Sequence, residues 1–420
     1  MRKNRFVYVS WLAFAFLLNI GGFVSCASAI IMVKPQLLPD NTVDVSAFRS
    51  LQEANNAKEA TGRILTVTAA VTVSTDTVID KTLRFSGARI TVAPEVKLTI
   101  YKPIEAGEYQ LFDFDTTKTL PIINLAGNGD WRTSWFLGAS GSDSDKGRNS
   151  RTLQMMFDTI GNGTILFDGG YSIDTPVTLR TLVSIRGNGK NGKAGLCLAK
   201  GANCALFTTQ SGTIVGRITI SDMYFSGSRE MNLTGGCALD LRGYLQNSEI
   251  RNCWFYNFRD TAVKLASAGS LSLINVDAHF NDCGVSIESG AGISITGCNI
   301  ENNYRVGLKM NAVNGFSVSG SYFEGNPGVI PPTTACEAQI LLSNCSCGVI
   351  QGSYFVNFGT SGVKLIDRSN TIRVELCWFQ WANGVAVQQD KTCYQITAAA
   401  NREYGKDKQS EEAAVFGRHS

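Results

Sequence analysis

Histidine and charged residues are both scarce in this chain of 420 residues. Only His279 and His419 are present, so a zinc site built on imidazole ligands is not expected. Asp, Glu, Lys and Arg together make up 17% of the sequence, and the formal net charge is +3. A nearly neutral chain of this size indicates neither a nucleic-acid partner nor an anionic membrane surface. Any partner must therefore be inferred from a specific site.

The repeats lack a sustained apolar stripe at helical spacing, which argues against a helical solenoid. Similar residues recur instead about every 22 to 24 positions between Ile220 and Val387. Three lanes of apolar residues show this period: Leu239, Val263, Val285, Leu308, Ile340, Val363 and Val385; Phe225, Phe255, Ala278, Ile300, Phe323, Phe355 and Phe379; and Ile220, Ile250, Leu273, Ile295, Val318, Ile350 and Val374. One coil cannot bury its apolar residues alone, whereas copies stacked about 4.8 Å apart form a continuous core. The sequence therefore predicts an all-β fold, a right-handed parallel β-helix with three strands per coil.

The sequence predicts four parts: a signal peptide at 1–29, an N-terminal β segment at 30–130, the β-helix at 131–400 and a polar, disordered tail at 401–420. The N-terminal β segment either continues the β-helix or forms a small lobe. A helix is predicted at 150–160, with Ser150 as its N-cap, and it would cover the open end of the prism.

The first 29 residues combine basic residues, an apolar run and an Ala-x-Ala site ending at Ala29, which predicts export to the cell envelope or the medium. Two alternatives stay open for this segment. It could remain as a single-pass anchor, or the "FVSC" sequence could direct lipidation of Cys26.

Twelve cysteines are many for one chain, yet Cys253, Cys298 and Cys377 each precede the Phe225 lane by two positions. Alternation along a strand then turns them inward, as small apolar fillers. Buried free thiols are therefore favoured over a dense disulfide framework.

The segment 135–190 supplies a family resemblance. Trp135, Phe136, Gly138 and Ala139, the acidic turn with Asp143 and Asp145, and the runs "GNGTILFDGGYSI" and "VSIRGNG" resemble the entry module of pectate lyase superfamily β-helix proteins, which include phage tailspikes and polysaccharide depolymerases. The resemblance implies the fold and a polysaccharide partner. It does not define the reaction, because the superfamily includes lyases, hydrolases, epimerases and non-catalytic adhesins.

The chain also departs from better-defined relatives of that superfamily. It lacks the Asp-Asp pair and the Gly-His-Gly element of polygalacturonase-type proteins, and no Asp cluster with a partnering Arg matches the calcium-dependent lyases. No cofactor is therefore predicted, and calcium enters only with a lyase reaction. A trimer is common among relatives of this kind, but no trimerisation region is visible after residue 395.

Outward-facing residues beside the Phe225 lane form two columns and predict a site. Its proposed catalytic residues are Asp277, His279, Glu301 and Glu324. Its proposed substrate-binding residues are Trp254, Tyr256, Asn299, Tyr322, Tyr354 and Trp378. Aromatic faces stack on sugars and carboxylates supply acid–base chemistry, so the pattern is typical of a glycan groove.

The spacing of the candidate carboxylates does not decide which reaction the site would catalyse. Glu301 and Glu324 lie one coil apart, about 4.8 Å between Cβ atoms, which suits a retaining glycosidase. Asp277 and Glu324 lie two coils apart, near the upper limit of the inverting range. A lyase would instead use His279 or a tyrosine as its base.

Several other interpretations compete with an enzyme. The same side chains could be an ordinary solvent-exposed face, and the protein could be a non-catalytic adhesin or scaffold. A basic column of Lys264, Lys309 and Lys364 on the neighbouring strand could hold an acidic polymer or merely keep the chain soluble. An enzyme is expected to wall the patch with loops, such as the insertion 325–336.

Overall fold

A computed structural model describes residues 41–138, 143–188, 194–325, 338–358, 360–380 and 384–404, together with the backbone of 416–418. The predicted signal peptide, Cys26, Ala139, His419 and all but the first residue of the insertion 325–336 lie outside the described residues. Within the described part of the chain, no helix is both long and apolar enough to cross a membrane.

The N-terminal β segment forms parallel coils of its own. Its strands stack into three small sheets: Thr42–Asp44, Ile64–Val67, Leu83–Phe85 and Ile104–Glu105; Val71–Val73, Ile90–Val92 and Phe112–Asp113; and Thr77–Ile79, Lys97–Ile100 and Ile122–Asn124. Buried Val, Ile and Leu side chains fill these coils. One apolar cluster extends from Val45 to Val387, so the core of this segment is continuous with that of the later repeats.

Helical segments interrupt the coils in a few places. The α-helices are Leu51–Asn56, Ser134–Leu137 and Lys146–Thr159, and the short 3-10 turns are Val45–Ala47, Lys58–Ala60 and Asp143–Asp145. The predicted helix at 150–160 is present, but it begins at Lys146 with Asp145 at the N-cap. The predicted N-cap role of Ser150 is wrong, because its hydroxyl is inside the helix and donates to the carbonyl of Lys146.

The repeats build two long parallel sheets. In the described residues, the first has twenty strands that follow two faces of the prism: Asp130–Arg132, Gly163–Phe167, Val177–Thr178, Val183–Gly187, Ala205–Thr209, Ile214–Gly216, Thr219–Ser221, Cys237–Arg251, Thr261–Ile274, Cys283–Ile287, Gly290–Thr296, Val306–Asn311, Val313–Ser319, Ala338–Ser343, Ser346–Gln351, Ser361–Ile366, Asn370–Glu375, Val385–Gln389, Tyr394–Ala399 and Phe416–Arg418.

The second sheet, called the site sheet below, has ten strands within the part of the chain that the structure describes: Gly170–Ile173, Gly195–Leu198, Tyr224–Ser226, Trp254–Tyr256, Asp277–His279, Asn299–Glu301, Tyr322–Glu324, Tyr354–Val356, Trp378–Gln380 and Arg402–Tyr404. Most are three residues long, so each strand presents one side chain inward and two outward.

The predicted lanes match the observed register with one exception. The Phe225 and Ile220 lanes are paired strand to strand as predicted. In the Val263 lane, Val363 pairs with Val387, and Val385 pairs with Ser361. The last step is therefore longer than predicted, and Val387 is the buried member.

Two further expectations concern turns and thiols. Asn252 and Gly297 follow strands of the Ile220 lane. Their φ angles are positive, 51° and 62°, as the sharp bend from one strand to the next requires. Cys253, Cys298 and Cys377 are buried and carry free thiols, as predicted.

The start of the predicted disordered tail 401–420 is ordered. Arg402–Tyr404 is the last strand of the site sheet. The side chain of Asn401 secures this coil, because its amide donates to the Val374 carbonyl at 2.8 Å and its oxygen accepts from the Cys377 amide at 2.9 Å. Hydrogen bonding between neighbouring coils thus extends the β-helix into a polar sequence.

Candidate functional site

The site sheet brings every predicted site residue onto one outer surface. Its inner lane, from Phe225 to Phe379, is fully buried, so the flanking residues must face outward. Parallel pairing arranges those residues in two columns: Tyr224, Trp254, Asp277, Asn299, Tyr322, Tyr354, Trp378 and Arg402; and Ser226, Tyr256, His279, Glu301, Glu324, Val356, Gln380 and Tyr404.

His279 is the centre of the acidic part of this surface. Its Nδ1 lies 2.8 Å from Oε1 of Glu301, and its Nε2 lies 3.9 Å from Oδ1 of Asp277. Only 14% of the His279 side chain and 20% of the Glu301 side chain are exposed, so the pair is shielded from bulk water. The imidazole also contacts the Trp254 ring edge-on, with 6.5 Å between ring centroids. These contacts hold the ring in one orientation.

The side chain of Asn299 lies next to the other imidazole nitrogen of His279, Nε2. Its Nδ2 is 3.4 Å from Nε2 of His279. This geometry allows Nδ1–H to donate to Glu301 while Nε2 accepts from the amide. The Oδ1 of Asn299 is buried and has no hydrogen-bond partner among the described residues. Most buried acceptors in folded proteins are hydrogen-bonded, so the lack of a partner sets this oxygen apart.

Glu324 is held by a separate pair of donors. The hydroxyl of Tyr322 donates to Oε2 at 2.8 Å, and the Nδ2 of Asn357 donates to Oε1 at 2.9 Å. Burial raises the pKa of Tyr322, and the hydrogen bond to Glu324 raises it further. Tyr322 is therefore a neutral donor near pH 7, which disfavours it as the base of a lyase.

The two candidate glutamates are neighbours but have different partners. Glu301 and Glu324 occupy paired positions on adjacent strands, as predicted. Glu301 is hydrogen-bonded toward His279 on one side, whereas Glu324 is hydrogen-bonded to Tyr322 and to Asn357. Sequence reasoning missed Asn357, because it lies in the turn after a strand and belongs to neither outward column.

Aromatic side chains flank the acidic centre on both sides. Trp254, Tyr256 and Trp378 are exposed by 39%, 40% and 37%. Tyr354 lies between Tyr322 and Trp378, with ring centroids 5.6 and 5.9 Å away. The set predicted from the sequence ends at Trp378, because the composition of 401–420 predicts disorder.

Two aromatic rings extend this surface beyond the predicted set. Tyr404 stacks on Trp378 at 4.8 Å with an interplanar angle of 14°. Tyr224 meets Trp254 edge-on at 6.3 Å. The aromatic surface therefore runs from Tyr224 to Tyr404 along the coils.

A loop borders the sheet on the side of Tyr256. Residues 227–236, called the edge loop below, leave the strand Tyr224–Ser226 and lie along the turns of later coils. Met231 and Leu233 on this loop are exposed. The insertion 325–336, which the sequence predicts as a wall, lies almost wholly outside the described residues.

The basic column lies on the twenty-stranded sheet. Lys264 is exposed there and Lys309 is 3.4 Å from Glu288. A depression on the same sheet is lined by residues that include Lys364 and Lys391, and no residue of the site sheet contributes to it. Among the described residues, no three His, Cys, Asp or Glu side chains are arranged to hold a metal ion.

Comparisons with known proteins agree with this architecture. The model of the family described as "Right handed beta helix region" matches residues 183–335 and 241–402. No curated protein matches the sequence. Among solved structures, the enzymatically active domain of tailspike protein 2 from bacteriophage CBA120 aligns with a TM-score of 0.50 and 15% identity, covering 71% of this chain and 48% of that one.

Two further tailspikes are similar. The full-length tailspike protein 2 of the same Escherichia coli O157:H7 phage aligns with a TM-score of 0.50 and 15% identity, over 71% of this chain and 43% of that one. The tailspike of Acinetobacter phage vB_ApiP_P1 aligns with a TM-score of 0.46 and 12% identity, over 69% of this chain and 60% of that one. The chain thus spans about half the length of these solved proteins, and the likeness concerns the fold alone. Because the family model covers more than half of the sequence and its coils are those observed, the chain belongs to the right-handed beta helix family.

Proposed function

We propose that the protein binds polysaccharide along the site sheet. The observation that carries this proposal is the shielded His279–Glu301 pair between exposed aromatic rings on one continuous surface. Aromatic faces pack on the C–H faces of sugars, and carboxylates and amides between them bond to hydroxyls. The solved tailspike domain named enzymatically active has the same kind of fold, which is consistent with this use of a β-helix.

Cleavage of the bound polysaccharide is the second candidate function. What favours it is that Glu324 and Glu301 lie on adjacent strands, each with its own hydrogen-bond partners. Two donors hold the Glu324 carboxylate in a fixed position, which suits a nucleophile or base. Glu301 would then supply the proton to the leaving oxygen.

A lyase reaction is the variant of this proposal that uses His279. Its imidazole would remove a proton next to a uronate carboxylate, and calcium or a lysine would neutralise that carboxylate. The rival class is a non-catalytic adhesin or scaffold, which would bind polysaccharide without cleaving it.

Export is part of the proposal. It rests on the N-terminal sequence, with cleavage after Ala29, lipidation at Cys26 or retention as an anchor as the three alternatives. The protein would then meet polysaccharide in the cell envelope or the medium, as a monomer or as a trimer.

The test is turnover on a panel of neutral and uronic polysaccharides, followed by reducing-sugar release and by absorbance of unsaturated products. Glu301→Gln and Glu324→Gln are each expected to lower kcat by about 100-fold or more, the usual contribution of an acid or base. Glu249→Gln is the matched control, because Glu249 pairs with Arg251 on the other sheet.

Binding is measured in parallel with Trp378→Ala, which is expected to weaken it about tenfold through loss of ring contacts. Binding without turnover in the unmodified protein would favour the adhesin or scaffold. Neither binding nor turnover on any polymer would contradict the proposed function.

A further inference from the structure

The edge of the site sheet beside Tyr256 holds two neighbouring arginines. We propose that Arg229 and Arg259 form a subsite for an anionic substituent, a carboxylate or a sulfate, on the polysaccharide that the site sheet binds. This inference rests on the proposed function and narrows its substrate class to acidic polysaccharides.

Arg229 is fixed in place across several coils. It belongs to the edge loop, and its Cζ lies 3.8 Å from the centroid of the Tyr304 ring. Its Nη1 donates to the carbonyl of Phe258 at 3.0 Å, and its backbone amide donates to the carbonyl of Asn257 at 3.1 Å. A guanidinium held by stacking and by a carbonyl keeps its other N–H groups in a fixed fork, the geometry that suits carboxylate or sulfate.

Arg229 is half-buried beside a second positive charge, that of Arg259. Burial lowers the pKa of Arg229, and the positive charge of Arg259 lowers it as well, whereas Tyr304, Asp282 and Glu230 act in the opposite direction. Arg259 follows Phe258 in the next turn and is exposed. Neither arginine has an acidic oxygen within 4.0 Å among the described residues. A bound anion would relieve the repulsion between the two cations.

Acidic side chains do line the same edge, but each has another partner. Glu230 accepts from Nδ2 of Asn257 at 3.0 Å, and Asp260 accepts from the amide of Thr261 at 2.8 Å. Asp282 is paired with Arg305.

Arg305, on the same edge, differs from these two arginines because it forms an ion pair with a carboxylate. Its Nε donates to Asp282 at 2.7 Å, and this hydrogen bond raises its pKa. Arg229 and Arg259 lack such a partner among the described residues, and this difference distinguishes them as a subsite.

The subsite adjoins the aromatic part of the patch. The Tyr256 ring packs edge-on against Phe280, with 5.6 Å between centroids, and Phe280 lies in the turn between those of Phe258 and Tyr304. The edge loop lies beside the residue that follows Tyr256, so a sugar stacked on Tyr256 would be next to this loop. A nucleic-acid ligand is not needed to explain the two arginines, because the neighbouring surface is the one proposed for sugars.

The experiment compares binding of matched polymer pairs by the full chain. One pair is a polyuronate and its carboxyl-reduced form, and the other is a sulfated galactan and its desulfated form, so the two arms separate carboxylate from sulfate. The unmodified protein is expected to bind the anionic member of at least one pair about tenfold or more tightly, the usual value of charge-assisted hydrogen bonds.

Arg259→Gln and Arg229→Gln are each expected to remove about tenfold of that preference and to leave binding of the neutral member unchanged. Arg259 is exposed, so its variant should fold normally. Arg229→Lys keeps the charge but loses the planar fork, so it should lose an intermediate part of the preference for the anionic polymer. Lys264→Gln is the matched control on the competing basic column.

Each remaining outcome overturns the inference. Equal binding of both members of each pair, unchanged by either arginine variant, removes the anionic subsite and leaves the proposed function standing. A preference that disappears in Lys264→Gln alone assigns the anion to the other sheet. Absence of binding to every polymer removes both the subsite and the proposed function.

Discussion

Phe355 gives the sharpest test of how the site sheet is supported. Its ring is fully buried and lies between Phe323 and Phe379. The centroids are 5.1 Å and 4.7 Å away, with interplanar angles of 8° and 12°. Replacing it by Ala would break the stack in the middle and leave a cavity beneath Tyr354.

The expected loss can be estimated from this geometry. Phe→Ala substitutions in cores cost about 3–5 kcal/mol in the free energy of unfolding. Two aromatic partners at stacking distance place Phe355→Ala at the upper end of that range, about 4–5 kcal/mol. Tyr354→Ala is the matched control, because its ring is on the outer face, and it should cost about 1 kcal/mol.

Urea unfolding measures both changes, followed by fluorescence and by circular dichroism so that a single transition can be verified. A double-mutant cycle with Phe379→Ala should give a coupling energy of about 1 kcal/mol. A loss below about 2 kcal/mol for Phe355→Ala, or one equal to that of Tyr354→Ala, would refute the assignment of this lane as the core of the sheet.

Two further predictions concern other parts of the chain. The carboxylate of Asp168 is buried, lies 3.4 Å from Nη1 of Arg132, and accepts from the amide of Ser134 at 2.9 Å and from the Ser134 hydroxyl at 2.6 Å. Asp168→Asn breaks this pair and should lower the free energy of unfolding by about 3 kcal/mol; an unchanged urea midpoint would contradict this. For Asp390, burial raises the pKa, but hydrogen bonds from Thr392 and Asp367 outweigh it and lower the pKa to about 2 from 3.8. The stability advantage over Asp390→Asn should therefore be full above pH 4 and shrink toward pH 2; a pH-independent difference would count against it.

The period and the direction of the side chains were readable from the sequence. Each short strand of the site sheet has one inward residue, so the apolar lane from Phe225 to Phe379 also defines which neighbours face outward. For this reason Asp277, His279, Asn299 and Glu301 were predicted to share a surface, and the register confirms it. Stacking identical turns leaves little freedom in such a fold.

Features that depend on contacts between coils were not readable in this way. The hydrogen bonds of Glu324 to Asn357 and of His279 to Glu301 depend on rotamers that strand alternation does not specify. Tyr404 was missed because the polar composition around it resembles a tail, whereas its stacking on Trp378 and the hydrogen bonds of Asn401 order the coil.

The sequence by itself determined the β-helix, its coil length and the column to which each candidate residue belongs, because these follow from short-range alternation and a repeated period. Only the tertiary structure decided how the carboxylates are partnered, where the aromatic surface ends and that Arg229 reaches Tyr304. Those contacts join residues that are distant in the chain and adjacent in space, and a pattern along the sequence does not specify that proximity.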